Sequence, residues 1–271
     1  AALSKRRMLD DTILVVFSDN GGPVGFPGQT SKGAADHCEP FGRWGADSGA
    51  SNYPFRGGKG ATFEGGVRTP ALIHYPRRIQ GGRRFAGLAH ITDWLPTILD
   101  AASVNDSADR AAFPLDGVSL WSALLENGPS PRVELLADID ANGEGTGGAL
   151  IHNFTKLFVG RVFNDTNFWA QPPEVAMAQN RSVEDDPIHA PAMWCSRGCI
   201  FDLSEDPDER HPRNATAEDK SLMDAYMVFQ KAVAPNLYYE VAPEKVLAVN
   251  TFKHQRSTWP YVSRSTATAT S

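Results

Sequence analysis

Thr12-Ile13-Leu14-Val15-Val16-Phe17-Ser18-Asp19-Asn20-Gly21-Gly22 is the stretch that decides the fold class. Its first six residues form a continuous apolar, β-rich run that stops abruptly on polar residues and glycine. Such a run suits a strand buried on both faces, as in the parallel sheet of an α/β protein. In open α/β sheets ligands bind at the carboxyl ends of strands, and this strand ends on a carboxylate and an amide. Asp19 and Asn20 offer oxygen donors, which suit a hard cation such as Ca2+ or Mg2+ better than zinc or copper. The glycines behind them let other backbone come close. A strand followed by a plain Asn-Gly turn accounts for the same residues with no ligand at all.

Outward from this strand, Gly25 to Asn52 is long, polar and glycine-rich, and is expected to be a surface excursion. It is followed by Pro54-Phe55-Arg56-Gly57-Gly58-Lys59-Gly60-Ala61-Thr62-Phe63-Glu64-Gly65-Gly66-Val67-Arg68-Thr69-Pro70. Glycines packed around a cation let an anion reach backbone N–H groups and the ammonium together. Lys59 is therefore a candidate to hold a sulfate or phosphate oxygen as a point charge. The segment is not a Walker A loop, because no Ser or Thr follows the lysine. A loop of solvated charges, with Glu64 paired to Arg56 or Arg68, is the plain alternative.

Ala71 to Tyr75 reads as a second short buried strand, closed by Pro76. Ile91, Leu95, Ile98, Leu99 and Ala102 recur at helical spacing, with Thr92 or Asp93 as cap and Pro96 in the opening turn. Strand, loop, strand and helix make α/β grammar. After about Gly128-Pro129 the grammar changes. Glu134–Ile139, Ala149–His152, Lys156–Val162 and Cys199–Leu203 read as short strands, and a helix from about Ala217 to Ala232 carries Leu222, Ala225, Tyr226 and Phe229 on one face. The expected organisation is an α/β unit over 1–128, a small α+β unit with an antiparallel sheet over 129–255, and a Ser/Thr/Ala-rich tail over 256–271 with little to bury.

Composition is that of an ordinary globular chain, so function must be read from sites. A net charge of −6 argues against a nucleic-acid or anionic-membrane surface as partner. No apolar run approaches the roughly 20 residues that span a bilayer. The chain opens on Ala1 and meets Ser4-Lys5-Arg6-Arg7 with no apolar segment behind it, which suggests a mature product or a fragment. Asn105, Asn153, Asn164, Asn180 and Asn214 each begin an N-x-S/T triplet, leaning toward a secretory, lysosomal or extracellular route. Cys38, Cys195 and Cys199 leave open one bridge or three thiols; Cys195 and Cys199 suit a local disulfide, two free thiols, or least of all zinc. His74 and His90 read as structural histidines. Trp44, Trp169 and Trp194 are packing residues by default, and sugar-stacking ones otherwise.

Taken in order, Phe17-Ser-Asp19-Asn20-Gly-Gly22, Arg56-Gly-Gly-Lys59-Gly-Ala-Thr-Phe-Glu64-Gly-Gly-Val-Arg68, His90-Ile-Thr-Asp-Trp-Leu-Pro-Thr97, Leu115-Asp-Gly117, Pro129-Ser-Pro-Arg132 and Phe201-Asp-Leu-Ser-Glu205-Asp-Pro-Asp-Glu209-Arg210 resemble the sulfatases. The likeness is to the arylsulfatase B group and reaches to about Ala234. It implies an alkaline-phosphatase-like mixed sheet with helices, followed by a small antiparallel-sheet domain with a C-terminal helix. It implies sulfate-ester hydrolysis, sulfated glycans being one substrate class. Asp19 and Asn20 would match two ligands of a catalytic Ca2+, and Lys59 a lysine that contacts the substrate sulfate. The implied nucleophile is a formylglycine made from the cysteine of a Cys-x-Pro-Ser/Ala-x-Arg motif. Neither Cys38, followed by Glu39-Pro40-Phe41-Gly42, nor Cys195 or Cys199 stands in such a motif. The implied early Asp-Asp pair has no counterpart either, since Asp10-Asp11 directly precedes the Asp19 strand. Two ligands fall short of the roughly six to eight oxygens Ca2+ takes, so these residues alone are expected to bind metal weakly and turn over little. A metallo-phosphodiesterase of the same superfamily and a non-catalytic binder of sulfated glycans are the alternatives.

Overall fold

The computed structural model of the chain describes residues 2–23, 50–104, 115–139, 148–161 and 194–233, together with Trp169, Val175 and Ala178. The chain starts with one helical turn, α1 (Ala2–Lys5), and reaches strand β1 (Leu14–Phe17). A one-turn helix α2 (Glu64–Val67) precedes β2 (Ala71–His74), and β1 and β2 pair antiparallel, Leu14 opposite His74 and Phe17 opposite Ala71. The expectation of two buried strands, the first of them on both faces, is corrected: Val16 is 64% and Leu72 56% exposed. Among the described residues these strands form a two-stranded sheet, so one apolar side has no layer over it.

Helix α3 (Trp94–Ala101) follows a short 3-10 turn, Ile91–Asp93. Asp93, one of the two expected caps, is the N-cap residue of α3 but makes no side-chain cap bond to it. The capping box belongs to the 3-10 turn, where the His90 ring accepts from Thr92 N while the Asp93 carboxylate accepts from His90 N at 2.8 Å. The expected apolar face is turned outward, with Leu95 and Ile98 exposed, and the helix buries Pro96 and Thr97 instead. Thr97 fits there because its hydroxyl donates to Asp93 O (2.6 Å) and accepts from Leu120 N (2.9 Å), which docks the start of α4 (Trp121–Glu126). Asp93 is buried because Arg132 grips it through Nε (2.7 Å) and Nη2 (2.5 Å) while Val118 N donates to it. A buried carboxylate held this way is fully hydrogen-bonded.

The second sheet follows the alternation closely. Strands β3 (Glu134–Asp138), β4 (Gly148–His152), β5 (Thr155–Arg161), β6 (Trp194–Asp202) and β7 (Arg213–Asn214) form an antiparallel meander in that order, with β5 at its centre. Period-2 alternation sends Leu150, Leu157 and Ile200 to one face, where they meet Leu222 and Tyr226 of helix α5 (Lys220–Val233). Ala149, Ile151, Phe158 and Phe201 go to the other face and meet Ala61 and Phe63 of the glycine segment. Phe63 stacks on Phe158 at 5.5 Å between ring centres and meets Phe201 edge-on at 6.3 Å. That contact joins the glycine segment to the five-stranded sheet, and burying a Phe side chain is worth roughly 1.5–3 kcal/mol. Cys195 and Cys199 form a disulfide within β6, opposite a bulge between Phe158 and Gly160. Most of the Gly25–Asn52 excursion, with Trp44 and Cys38, and the 256–271 tail lie outside the described residues.

Candidate functional site

Asp19 and Asn20 follow β1 in a turn held by hydrogen bonds between side chains and backbone. Asn20 N donates to Asp19 Oδ1 at 2.9 Å, Ser18 Oγ donates to Asn20 O at 2.8 Å, and Asn20 Nδ2 donates to Gly21 O at 2.8 Å. With its amide nitrogen turned onto its own chain, Asn20 has its Oδ1 on the opposite side. Asp19 is exposed. Two hard oxygen donors side by side at a strand end fit a divalent cation as two of its ligands. Among the described residues no group of three or more His, Cys, Asp or Glu is arranged to hold a metal.

The glycine segment docks onto this turn through backbone alone. Gly21 N donates to Gly66 O at 2.8 Å and Lys59 N donates to Gly22 O at 3.0 Å. A Cβ on Gly21 would lie 1.7 Å from Gly65 O, so no larger residue fits without parting the two segments. Asn52 completes the junction: its Oδ1 accepts from Gly22 N (2.8 Å), and its Nδ2 donates to Gly22 O (2.9 Å) and Gly57 O (3.2 Å). Lys59 is exposed at the surface of this junction. The backbone that bears Asp19 and Asn20 and the backbone that bears Lys59 are thus brought together, although Gly22 and Lys59 are 37 positions apart in the chain. Asn52 carried no signal in the sequence, where it closes an undistinguished polar loop.

Beneath the segment lies a set of buried charges. Lys156 on β5 and Glu209 are fully buried, Glu64 is 4% exposed and Arg56 2% exposed. Lys156 Nζ donates to Glu64 Oε1 at 3.0 Å and forms an ion pair with Glu209 Oε1 at 2.8 Å. Glu64 N donates to Glu209 Oε2 at 2.6 Å, and Arg56 Nη1 to Glu209 O at 3.0 Å. Burial alone would lower the Lys156 pKa, but the carboxylates of Glu209 and Glu64 raise it. Burial pushes the Glu209 carboxyl up to about 7 against the pull of Lys156, with Glu64 adding to the rise. Burial likewise lowers Arg56 to about 10, opposed by Glu209 and Asp206. Of the pairings expected for Glu64, Arg68 lies at 3.7 Å, while Arg56 instead packs over Phe63 and Trp169. Trp169 sits between Arg56 and Arg210 and donates from Nε1 to Asp208 O, which makes it a packing residue. His90 is structural, as expected, and caps the 3-10 turn that leads into α3.

The sulfatase family model matches residues 1–104. Arylsulfatase J of Mus musculus is 33% identical over 139 residues, which cover 51% of this chain and 19% of that protein. Steryl-sulfatase of Mus musculus is 28% identical over 225 residues, covering 81% of this chain and 32% of the relative. N-acetylgalactosamine-6-sulfatase of Sus scrofa is 29% identical over 165 residues, covering 60% and 30%. Among solved structures, the PsFucS1 sulfatase from Pseudoalteromonas sp. has a TM-score of 0.52 at 23% identity, over 84% of this chain and 39% of its own. Ps i-CgsB has a TM-score of 0.52 at 21% identity, over 96% and 46%. These two likenesses bear on the fold. The chain spans between 19% and 32% of the length of the three curated relatives.

Proposed function

We propose that the chain is a member of the sulfatase family and that it supplies the cation- and sulfate-contacting side of a sulfuric ester hydrolase. Asp19 and Asn20 are two ligands of one Ca2+, with Mg2+ as the alternative ion, and Lys59 contacts the ester's sulfate group. The observation that carries this reading is the junction itself, where Lys59 N–H meets Gly22 O and Gly21 N–H meets Gly66 O. Hard oxygen donors and an exposed ammonium on adjoining backbones are what a sulfate monoester needs, since negative charge shifts onto the leaving oxygen as its S–O bond breaks. A bound Ca2+ would supply Lewis-acid stabilisation of the sulfate oxygens. Lys59 holds the sulfate by a point charge and neutralises part of its charge, while Asp19 and Asn20 orient the ion. Attack on sulfur is assigned to no residue here, because Cys195 and Cys199 are joined to each other and Cys38 stands in no formylglycine motif.

A secretory destination, lysosomal or extracellular, fits the same protein. The Cys195–Cys199 disulfide belongs to an oxidising compartment. Asn153, exposed in the turn between β4 and β5, and Asn214, exposed on the edge strand β7, are open to glycosylation. The test is aryl-sulfate hydrolysis by an active protein carrying these residues, with Lys59→Ala and Asp19→Ala beside it. Both variants are expected to lose most of the activity. Wild-type rates in both would remove the site.

A further inference from the structure

Lys156 occupies the central strand on the face that otherwise presents Phe158, Ile151 and Phe201, where alternation asks for an apolar side chain. A hydrophobic residue of similar volume would pack there without the desolvation cost of a charge. What the charge adds is direction. Lys156 and Glu209 together hold both the carboxylate and the backbone N–H of Glu64, the first residue of α2. Glu209 is itself held in the left-handed region, at φ 58, a strained conformation for a residue with a side chain. Arg56 Nη1 on its carbonyl and its own N–H to Asp206 O (3.1 Å) keep it there.

From Glu64 the chain transmits position with little slack. Gly65 N donates to Arg56 O at 2.7 Å, and Cβ atoms on Gly65 and Gly66 would lie 2.3 Å from Gly57 O and 2.0 Å from Ala61 O. Backbone packed this closely on both sides moves as one piece. Its far side is the pair of hydrogen bonds to Gly21 and Gly22.

We propose that Lys156 and Glu209 are positioning residues: by clamping Glu64 from the five-stranded sheet, they fix the Lys59-bearing segment against the Asp19–Gly22 turn. This rests on Asp19, Asn20 and Lys59 forming one site, and it makes that site dependent on a sheet that stands behind it. The geometry of the sulfate site is then set by residues 92 and 145 positions away from Glu64.

Two readouts on the full chain test this, in Lys156→Met, Glu209→Gln, Lys59→Ala and, as a control, Arg213→Ala. The control breaks the Arg213–Asp219 pair, remote from the junction. Hydrogen exchange of peptides spanning 18–22 and 56–66 reads the junction without any ligand. Titration of inorganic sulfate in the presence of Ca2+ reads the site. Lys156→Met and Glu209→Gln are expected to exchange faster in those peptides and to weaken sulfate binding by roughly tenfold, about 1.4 kcal/mol. Arg213→Ala, destabilised elsewhere, should do neither, which separates positioning from general loss of stability. Glu209→Gln keeps an oxygen for Glu64 N–H, so it remains informative if Lys156→Met does not fold. Wild-type exchange and wild-type sulfate affinity in folded Glu209→Gln and Lys156→Met would overturn the inference. If Lys59→Ala binds sulfate as well as the parent, the site reading fails instead, and exchange alone decides whether the clamp exists.

Discussion

Glu209 shows how one side chain can carry both strain and a pH dependence. Its carboxyl takes up a proton at about 7 in the folded chain, against 4.5 ordinarily. Between those values the folded state holds more protons than the unfolded one, so stability falls as pH rises from about 4.5 to about 7. Lys156 acts at the other end of the scale, contributing stability below its ordinary 10.5 that is lost as pH rises through its higher folded value. Thermal melts across the near-neutral range should show a downward slope for the parent and a flatter one for Glu209→Gln; equal slopes would contradict the assignment. Gly21→Ala is a second test at this scale. A methyl 1.7 Å from Gly65 O must part the turn from the glycine segment. The variant is expected to lose at least about 1–3 kcal/mol, as overpacked sites do, and to lose sulfate binding with it. A folded Gly21→Ala with unchanged affinity would show that the contact is dispensable.

At the scale of elements, four strands of the second sheet and α5 were legible because they obey simple periods, whereas the first half of β6 (Trp194–Asp202) and the two-residue β7 (Arg213–Asn214) are too polar or too short to show one. Leu150, Leu157 and Ile200 alternate on the strands, and Leu222, Ala225, Tyr226 and Phe229 return on one helical face, so each element declares which side it buries. The start of α5 is local too. Thr216 and Asp219 form a capping box, and Arg213 adds bonds of 2.6 and 2.7 Å to the Asp219 carboxylate. The Arg213 hydrogen bonds first, working against burial, and then the backbone and hydroxyl of Thr216 hold that carboxyl well below its usual range. Its contribution is therefore present above about pH 4 and lost as pH falls further. Asp219→Ala should cost about 1 kcal/mol in denaturant unfolding near neutral pH. Tyr226→Ala, fully buried against β4 and β5, should cost about 3–5 kcal/mol. The strands β1 and β2 were legible as strands but not in their burial, because an apolar run does not say whether a layer covers it. Nor did the helical spacing of Leu95 and Ile98 reveal that α3 buries Thr97 through hydrogen bonds.

At the scale of the molecule, the glycine segment meets the five-stranded sheet through Phe63 on Phe158 and through Lys156 beneath Glu64 and Glu209. Asp19, Asn20 and Lys59 stand out in the sequence as candidates because each lies in a short, distinctive local pattern. Asn52, Lys156 and Glu209 do not, since what they do depends on partners 30, 92 and 145 positions away and leaves no mark on their own neighbourhoods. The most direct measurement is the rate of aryl-sulfate hydrolysis, with and without added Ca2+, by an active protein carrying this chain, beside its Lys59→Ala and Asp19→Ala variants. Hydrolysis should require Ca2+ and fall by roughly 100-fold or more in Lys59→Ala, the scale on which removal of a charge-stabilising contact acts. Asp19→Ala should fall similarly and recover in part at higher Ca2+. Hydrolysis that ignores Ca2+ and proceeds at the parent rate in both variants would contradict the assignment of the sulfate ester site to these residues.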